Sequence, residues 1–581
     1  MRFVDVRAWL LTNQERENPH TRIDAVRGDG TAWSSGNTVR AIVHGRPYFE
    51  ELHERIVGLG PGDRLYFADW RGDPDEQLTD DPGSTLNATL VEAAKRGVDV
   101  RGLLWRSHWH RLGFSARRHR YLGDEIGEAG GQCLRDMRVR TRGAHHQKFV
   151  VIRHAEDPTR DIAYLGGIDL CHGRRDDHTH NGDPQPAELA SAYGPTPPWH
   201  DVQVAIRGPA VHDVETTFRE RWEDSTPLTL NPGRLVSSLV HREDLSPQPL
   251  GAQAPPPPPR PAGHDVVQII RTFPVISPTG FDFAPEGERS VMLGNTKAIA
   301  QADRLIYVED QYLWSDDVGE HFANVLREKP ELRLVVVLPM VPDLEGALAE
   351  VPQRYGRSLA MRTIIEAGGD RVAVFGLCNK TGLPIYVHSK TCVIDHRWAS
   401  VGSDNFNRRS WTSDSEIACT VVDERGDLDE TAPEDSFPRV LLRTLVAEHL
   451  SCDADDVPED PHELFDAMVA SAEALDEWYA GGVPDKKNGI RGVLTGRGPH
   501  RIAPVPKSVA RHIPGHRRRR QGVAARAEAA SMRGSERAAR PPGRLRRLDP
   551  PELSDAQLRW APRLYDLLFD PDGRPRPGAG A

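Results

Sequence analysis

Cysteine and methionine are sparse in this chain, at six and seven of 581 residues. The cysteines, Cys133, Cys171, Cys378, Cys392, Cys419 and Cys452, include no CxxC pair. Neither a cysteine zinc site nor a disulfide framework is signalled, and a reducing compartment fits. Long apolar runs are also missing: nothing approaches the roughly 18 consecutive apolar residues of a membrane span. The opening "MRFVDVRAWLLTNQEREN" has a short apolar piece but no small-residue cleavage site. No signal peptide is expected, and a cytoplasmic protein, at most peripheral on a membrane, is the expectation. At 38% hydrophobic and 27% charged residues the composition is globular. The length is too great for one core, so two large domains or a duplicated unit are expected.

The net charge of −11 conceals an asymmetry. Between Lys486 and Arg547 stand 18 Lys/Arg against Glu528 and Glu536, a net of +16, leaving −27 for the rest. This segment contains "HRRRRQ" and is rich in Gly, Pro and Ala. It is expected to be poorly ordered, either a solvated tail or a contact for an anionic surface.

A Pro-rich stretch, "SPQPLGAQAPPPPPRPAGHD" at 246–265, divides the chain into halves that repeat. "DRLYFADW" at 63 is answered by "DRLIYVED" at 303, and "EAGG" at 128 by "EAGG" at 366. His146-Gln147-Lys148 is answered by His388-Ser389-Lys390, and "GGIDL" at 166 by "GSDNF" at 402. The offsets, 240, 238, 242 and 236, are nearly constant and in order, which marks an internal duplication. Amphipathic helices alternate with near-continuous apolar strands in each half, the rhythm of α/β layering around a buried sheet. The expected divisions are 1–29, a first half at 30–242, a linker at 243–265, a second half at 266–450, a helical segment at 451–485, the basic segment at 486–547 and a terminal segment at 548–581.

In "HHQKFVVIRH" (145–154), an apolar strand follows a His and a Lys two residues apart. Residues i and i+2 of a strand share a face. One such pair is common on surfaces. Two, in a duplicated chain, can meet at a pseudo-twofold axis as one site with two imidazoles and two ammonium groups. That set suits phosphoryl chemistry: a nucleophile, a general acid and charge balance. The Gly-rich turn after each strand is expected to let backbone amides approach a phosphate. "DDHTHNGD" at 176–183 reads as an exposed polar loop rather than a metal site, and Trp199 as a wall of the site.

The paired motifs resemble the phospholipase D superfamily, marked by HxKxxxxD, a Gly-Ser turn and an Asn. "HSKTCVIDHRWASVGSDNFNRRS" supplies His388, Lys390, Asp395, Gly402, Ser403 and Asn405. "DSEIA" (414–418), "PPWHDVQVAIRGPAV" (197–211) and "EDQYL" (309–313) are similar to further family elements. The first copy departs by Arg153 in place of the Asp and by the insertion "HAEDPTRD", with Asp161 or Asp157 as candidate replacements.

The resemblance implies a duplicated α/β/α sandwich, two phospholipase D-like halves with pseudo-twofold symmetry and one shared active site. It implies a phosphohistidine mechanism without metal or other cofactor. His146 is the expected nucleophile and His388 the acid/base, with Asp201 orienting His146 and Glu416 orienting His388. Lys148, Lys390 and Asn405 are expected on the phosphoryl oxygens, and Ser403, Gly167 and Asp169 at the substrate, Asp169 bonding basic groups at the rim. Asp395 is expected to support the fold.

The implied activity is hydrolysis or transfer of a glycerophospholipid headgroup at a membrane surface, with no obligatory protein partner. Cardiolipin synthase-type transfer is one alternative, without the apolar amino-terminal segments usual there. A nuclease is another, disfavoured by the acidic body because nucleic-acid affinity rests on phosphate neutralisation. A catalytically dead scaffold is a third, disfavoured by two intact HxK pairs.

Overall fold

The computed structural model describes residues 5–106, 118–229, 232, 235–236, 244–276, 280–425, 433–480 and 539–574. The first half carries β1 (Ser34–Val43), β2 (Arg64–Asp69), β3 (Asp99–Trp105), β4 (Gln132–Asp136), β5 (Phe149–Arg153), β6 (Ile162–Gly166), β7 (Trp199–His200) and β8 (Val202–Arg207). The second carries β9 (Asp265–Phe273), β10 (Glu288–Arg289), β11 (Leu305–Glu309), β12 (Arg333–Val337), β13 (Val372–Cys378), β14 (Pro384–Val387), β15 (Thr391–Ile394), β16 (Trp398–Gly402) and β17 (Glu416–Asp423). A last strand, β18 (Leu545–Arg547), follows near the C-terminal end.

The two main sheets have one plan. In space the first runs β4-β3-β2-β5-β6-β8-β1. The second runs β13-β12-β11-β15-β16-β17-β9. In each, the first three strands are parallel and the rest antiparallel. The equivalent edge strands β1 and β9 pair antiparallel, Asn37 opposite Asp265, as a twofold axis demands of two copies of one edge.

Strand alternation decides which side chains face where. On β2, Leu65 and Phe67 join an outer core with Tyr48, Phe49, Leu52 and Ile56 of the helix Gly45–Val57. Tyr66 and Ala68 join a central core that also holds Val267, Tyr307 and Val335 of the second half. The helices Val211–Glu223 and Phe437–Leu450 contribute to this central core. The outer face of the second sheet is covered by the helices Ser290–Gln301, Asp316–Glu328 and Ala347–Gly368. Each sheet is thus buried on both faces, which explains its unbroken apolar strands.

The Pro-rich residues 244–264 form no helix or strand. They lie along the first half, where Pro255 O accepts from Arg153 Nη2 at 2.7 Å and Gln248 O from Trp222 Nε1 at 2.8 Å. The expectation of poor order for 486–547 fails at its end. β18 pairs antiparallel with β13, Leu545 opposite Leu377, because Leu545 is fully buried and the neighbouring arginines find Glu448 and Asp476. Residues 481–538 lie outside the described residues.

Candidate active site

The two HxK segments run into β5 and toward β15, at the junction of the halves. The backbone N–H of His146 donates to Ser415 O (2.9 Å), and Ser415 N to Ala144 O (2.9 Å). The first motif is therefore laced to the acidic segment of the second half. The reverse contact is equivalent: His388 N donates to His200 O (2.8 Å), where β14 pairs parallel with β7.

This lacing crosses the carboxylates. His146 Nδ1 lies 3.0 Å from both oxygens of Glu416, and His388 Nδ1 lies 2.7 Å from Asp201 Oδ2. The expected partners, Asp201 for His146 and Glu416 for His388, are corrected: each histidine takes the other half's carboxylate. The physical reason is the dyad, which sets the start of β17 beside the first motif and the β7–β8 corner beside the second. A carboxylate on Nδ1 holds the proton there and leaves Nε2 free. Trp199 Nε1 (3.3 Å) and the amide of Val202 (2.9 Å) fix Asp201, while the Ser403 hydroxyl donates to Glu416 at 2.5 Å.

Each lysine folds back onto its own motif. Lys148 Nζ donates to His146 O at 2.9 Å and stands 3.4 Å from Asp169. Lys390 Nζ donates to His388 O and, at 3.1 Å, to Gln311 Oε1. Burial lowers the Lys390 ammonium to about 8, against the opposing pull of Asp201. Burial also holds the His388 imidazole well below its ordinary value, reinforced by Lys390 and Arg174. Asp169 bonds basic groups as expected, with Arg174 Nη2 at 3.3 Å, but it is fully buried rather than at a rim. Its neighbour Asp69 is pushed well above the carboxylate range by burial and by the Asp169 charge.

The glycine turns do different work from that expected. The amides of Gly167 and Gly402 donate to Val202 O (3.0 Å) and Lys390 O (3.1 Å), and that of Ser403 to Ile417 O (2.9 Å). They are not free for phosphate. Glycine is required at 167 because a Cβ there would stand 2.0 Å from Asp201 Oδ1 and 3.1 Å from His388 O. Gly167 thus leaves room for the Asp201 carboxylate, and the Ser403 hydroxyl holds that of Glu416. Asn405 is buried, and its side-chain oxygen has no hydrogen-bond partner.

Asp395 supports the fold by accepting the amides of Asp303, Arg304 and Leu305 at 2.7–2.9 Å. Neither Asp161 nor Asp157 repeats this. Asp161 holds Arg153 (2.7 Å) and the amide of His154 (2.6 Å), and Asp157 accepts from Thr159. In the first half the direction is inverted: Asp63, at the start of the strand, accepts the amide of Ala155 at 2.9 Å. The Trp199 ring lies 4.9 Å, centroid to centroid, from that of His388, with the Arg174 guanidinium carbon 4.1 Å from the Trp199 ring centroid. Trp70 was not singled out in the sequence; its ring is 6.1 Å from that of His146. Arg174, Asp69 and Gln311 were also missed as individual residues, although Gln311 lies in the "EDQYL" stretch. The stretch 176–183 is a loop, as expected, but of mixed exposure: His178, Thr179 and Asn181 are exposed, whereas Asp176, His180 and Asp183 are buried.

Comparison with known families places a match on each half. A model described as Phospholipase D matches residues 126–246, and one described as Cardiolipin synthase, PLD-like domain, matches 297–432. Phospholipase D gamma 2 of Arabidopsis thaliana is 27% identical over 464 residues, covering 58% of this chain and 53% of that protein. Phospholipase D1 of Saccharomyces cerevisiae is 25% identical over 523 residues, covering 74% of this chain and 30% of that protein. The chain therefore spans about half, or less, of the length of these curated relatives. Among solved structures, a phosphatidylserine synthase of Haemophilus influenzae has a TM-score of 0.47 at 13% identity, covering 75% of this chain and 99% of its own.

Proposed function

Because the chain belongs to the phospholipase D superfamily, we propose that it cleaves the headgroup ester of a glycerophospholipid through a phosphohistidine intermediate. The observation that carries this reading is the pair of crossed histidine–carboxylate contacts, each with a lysine two residues on. His146 Nε2 attacks phosphorus, and the bond to the headgroup oxygen breaks. That oxygen takes a proton from His388 Nε2. His388 then deprotonates water, whose oxygen attacks phosphorus and releases His146. Lys148, Lys390 and Asn405 face the phosphoryl oxygens, and the two ammonium groups supply the charge stabilisation that the developing trigonal-bipyramidal phosphorus needs.

The depressed proton affinity of His388 bears on the order of events. Part of that depression comes from Lys390 and Arg174, and a bound phosphodiester anion offsets their charge. Substrate therefore raises His388 toward the protonated form an acid requires. The same depression supports a second assignment, with His388 as nucleophile and His146 as acid, since a nucleophile must be neutral.

With an alcohol in place of water, the same second step gives transfer. The match of residues 297–432 to a cardiolipin synthase-type domain supports a lipid alcohol as acceptor. The deciding experiment is mass spectrometry of products from mixed phospholipids with and without ethanol. Phosphatidic acid with headgroup release, and phosphatidylethanol when ethanol is present, are expected. A cardiolipin-like product from phosphatidylglycerol, without phosphatidic acid, would favour the transferase. No turnover of any phospholipid would sink both.

A further inference from the structure

Behind the β7–β14 ladder lies a second cluster that the phosphodiester chemistry does not use. His44, His180, His200 and His449 surround the carboxylates of Glu309 and Glu448, and no imidazole is more than 4% exposed. Glu448 Oε2 lies 2.7 Å from His44 Nε2, and its Oε1 lies 2.8 Å from His180 Nε2 and 3.6 Å from His200 Nδ1.

The far sides of the rings decide what these nitrogens can do. His180 Nδ1 is 3.0 Å from the carbonyl oxygen of Trp199, and His200 Nε2 is 2.8 Å from Glu309 Oε2. An imidazole that donates from one nitrogen to a carbonyl or carboxylate presents a lone pair at the other. In their neutral forms, the lone pairs of His180 Nε2 and His200 Nδ1 therefore converge beside Glu448. At 2.8 Å, a lone pair facing a carboxylate oxygen is repulsive unless a cation or a proton lies between them. His200 Nδ1 is buried with no hydrogen-bond partner. His44, which completes the group, is held at φ 74° and ψ 159°, with its N–H on Asp201 O at 2.8 Å. A non-glycine residue pays for such a backbone.

We propose that His44, His180, His200 and Glu448 form a closed, four-ligand site for a Zn²⁺-type divalent ion. Their ligand atoms all lie within 4.8 Å of one another. A tetrahedral ion with bonds of about 2.0–2.1 Å sets its ligands about 3.3 Å apart, so side-chain adjustments of roughly 1 Å complete the shell. Three imidazoles and one carboxylate suit zinc rather than calcium or magnesium. Four protein ligands leave no open position, which makes the site structural. The outer partners are those a zinc site uses: Glu309 on His200, a backbone carbonyl on His180, and Arg544 Nη1 on Glu448 at 3.2 Å.

The ligands come from both halves. His44 precedes the helix Gly45–Val57, His200 ends β7, and Glu448 sits on the helix Phe437–Leu450. The ion would clasp the two halves directly behind Asp201 and His388, with no part in the chemical steps. The rival arrangement is a protonic one, with doubly protonated His180 between Trp199 O and Glu448, or His200 between Glu309 and Glu448.

The test uses the full chain, purified without chelator from zinc-supplemented cells. About one zinc per chain is expected by elemental analysis. His180→Asn and Glu448→Gln should lower bound zinc at least about tenfold, while His178→Gln, at an exposed neighbour, should retain it. Should either variant fail to fold, the unaltered protein still decides. Exchange into Co²⁺ should give the intense visible bands of a tetrahedral site. Wild-type protein with less than about one-tenth equivalent of zinc, or folded variants that keep it, would overturn the site in favour of the protonic network. An octahedral cobalt spectrum would do the same. Metal content is read without turnover, so failure of the lipid reaction leaves this result standing.

Discussion

A histidine becomes a useful acid or nucleophile when one ring nitrogen is fixed and the other is exposed to the reacting atom. Glu416 and Asp201 do the fixing here, across the junction. Glu416→Gln and Asp201→Asn should each lower turnover by about 10²–10⁴-fold with little change in KM, because tautomer and orientation are lost rather than binding. The double variant should cost about as much as the worse single one; steady-state kinetics of all three checks this. His146→Ala should abolish the covalent intermediate. His388→Asn should still trap it from a substrate with an activated leaving group, which needs little protonation. Labelled phosphate trapped on the His146→Ala protein would establish the reversed assignment. At Gly167, alanine should impair turnover, since its Cβ would collide with Asp201. The His and Lys pairs were legible from their repetition alone. The partners were not, because strand periodicity fixes which face a side chain takes but not which strand of the other half lies opposite.

Among the secondary elements, the junction of β1 and β9 carries a testable charge. Asp265 Oδ2 accepts the amide of Val39 at 2.7 Å, and Asp265 stands opposite Asp423 in the β9–β17 pairing. Burial, with Asp423 adding to it, pushes this carboxyl up to about 7. The ordinary value is about 3.9. Below about pH 4 both folded and unfolded chains hold the proton. Between pH 4 and 7 only the unfolded chain releases it, so the stability contributed by the group is lost as pH rises through the folded value. Asp265→Asn keeps an acceptor for Val39 and removes the titration. It should therefore stabilise the protein by an order of a few kcal/mol at pH 8, and by clearly less at pH 5. Denaturant midpoints at the two values measure the difference. Equal gains at both would show that Asp265 is ionised throughout. The helix and strand rhythm that located β2, β5 and β11 came from apolar runs. The short β7 and β14, which bring His200 to His388, carry no such signal in two to four residues.

For the whole molecule, charge and substrate are in tension. A chain carrying −27 outside its basic segment should be repelled by the anionic bilayer that holds the proposed substrate. Residues 486–535 hold 13 Lys/Arg and one Glu. Basic groups near an anionic surface are worth up to about 1 kcal/mol each before ordering is subtracted. Deleting 486–535 spares β18 and should weaken binding to anionic vesicles more than tenfold, with hydrolysis of a short-chain soluble substrate nearly unchanged. Added salt should abolish the difference, since exposed charges are screened. Unaltered vesicle binding would make the segment a solvated tail, and a lost affinity for RNA or DNA would point to a nuclease.

Sequence by itself determined the duplication, the α/β layering and the four residues His146, Lys148, His388 and Lys390, because repeated spacing and apolar runs are properties of the chain read along its length. The supporting role of Asp395 came from the family resemblance of its motif, and in the structure it takes the amides of Asp303, Arg304 and Leu305 at the start of β11. Tertiary structure alone decided the crossing of Asp201 and Glu416, the inverted support of the first half by Asp63, and the convergence of His44, His180, His200 and Glu448. Each of these depends on how two sheets dock about a dyad, and docking brings together residues separated by up to hundreds of positions that no local pattern relates. The glycine turns show the boundary most plainly. Sequence marked their small size, but only the packed β-strands revealed that at Gly167 the space a side chain would need is taken by the Asp201 carboxylate.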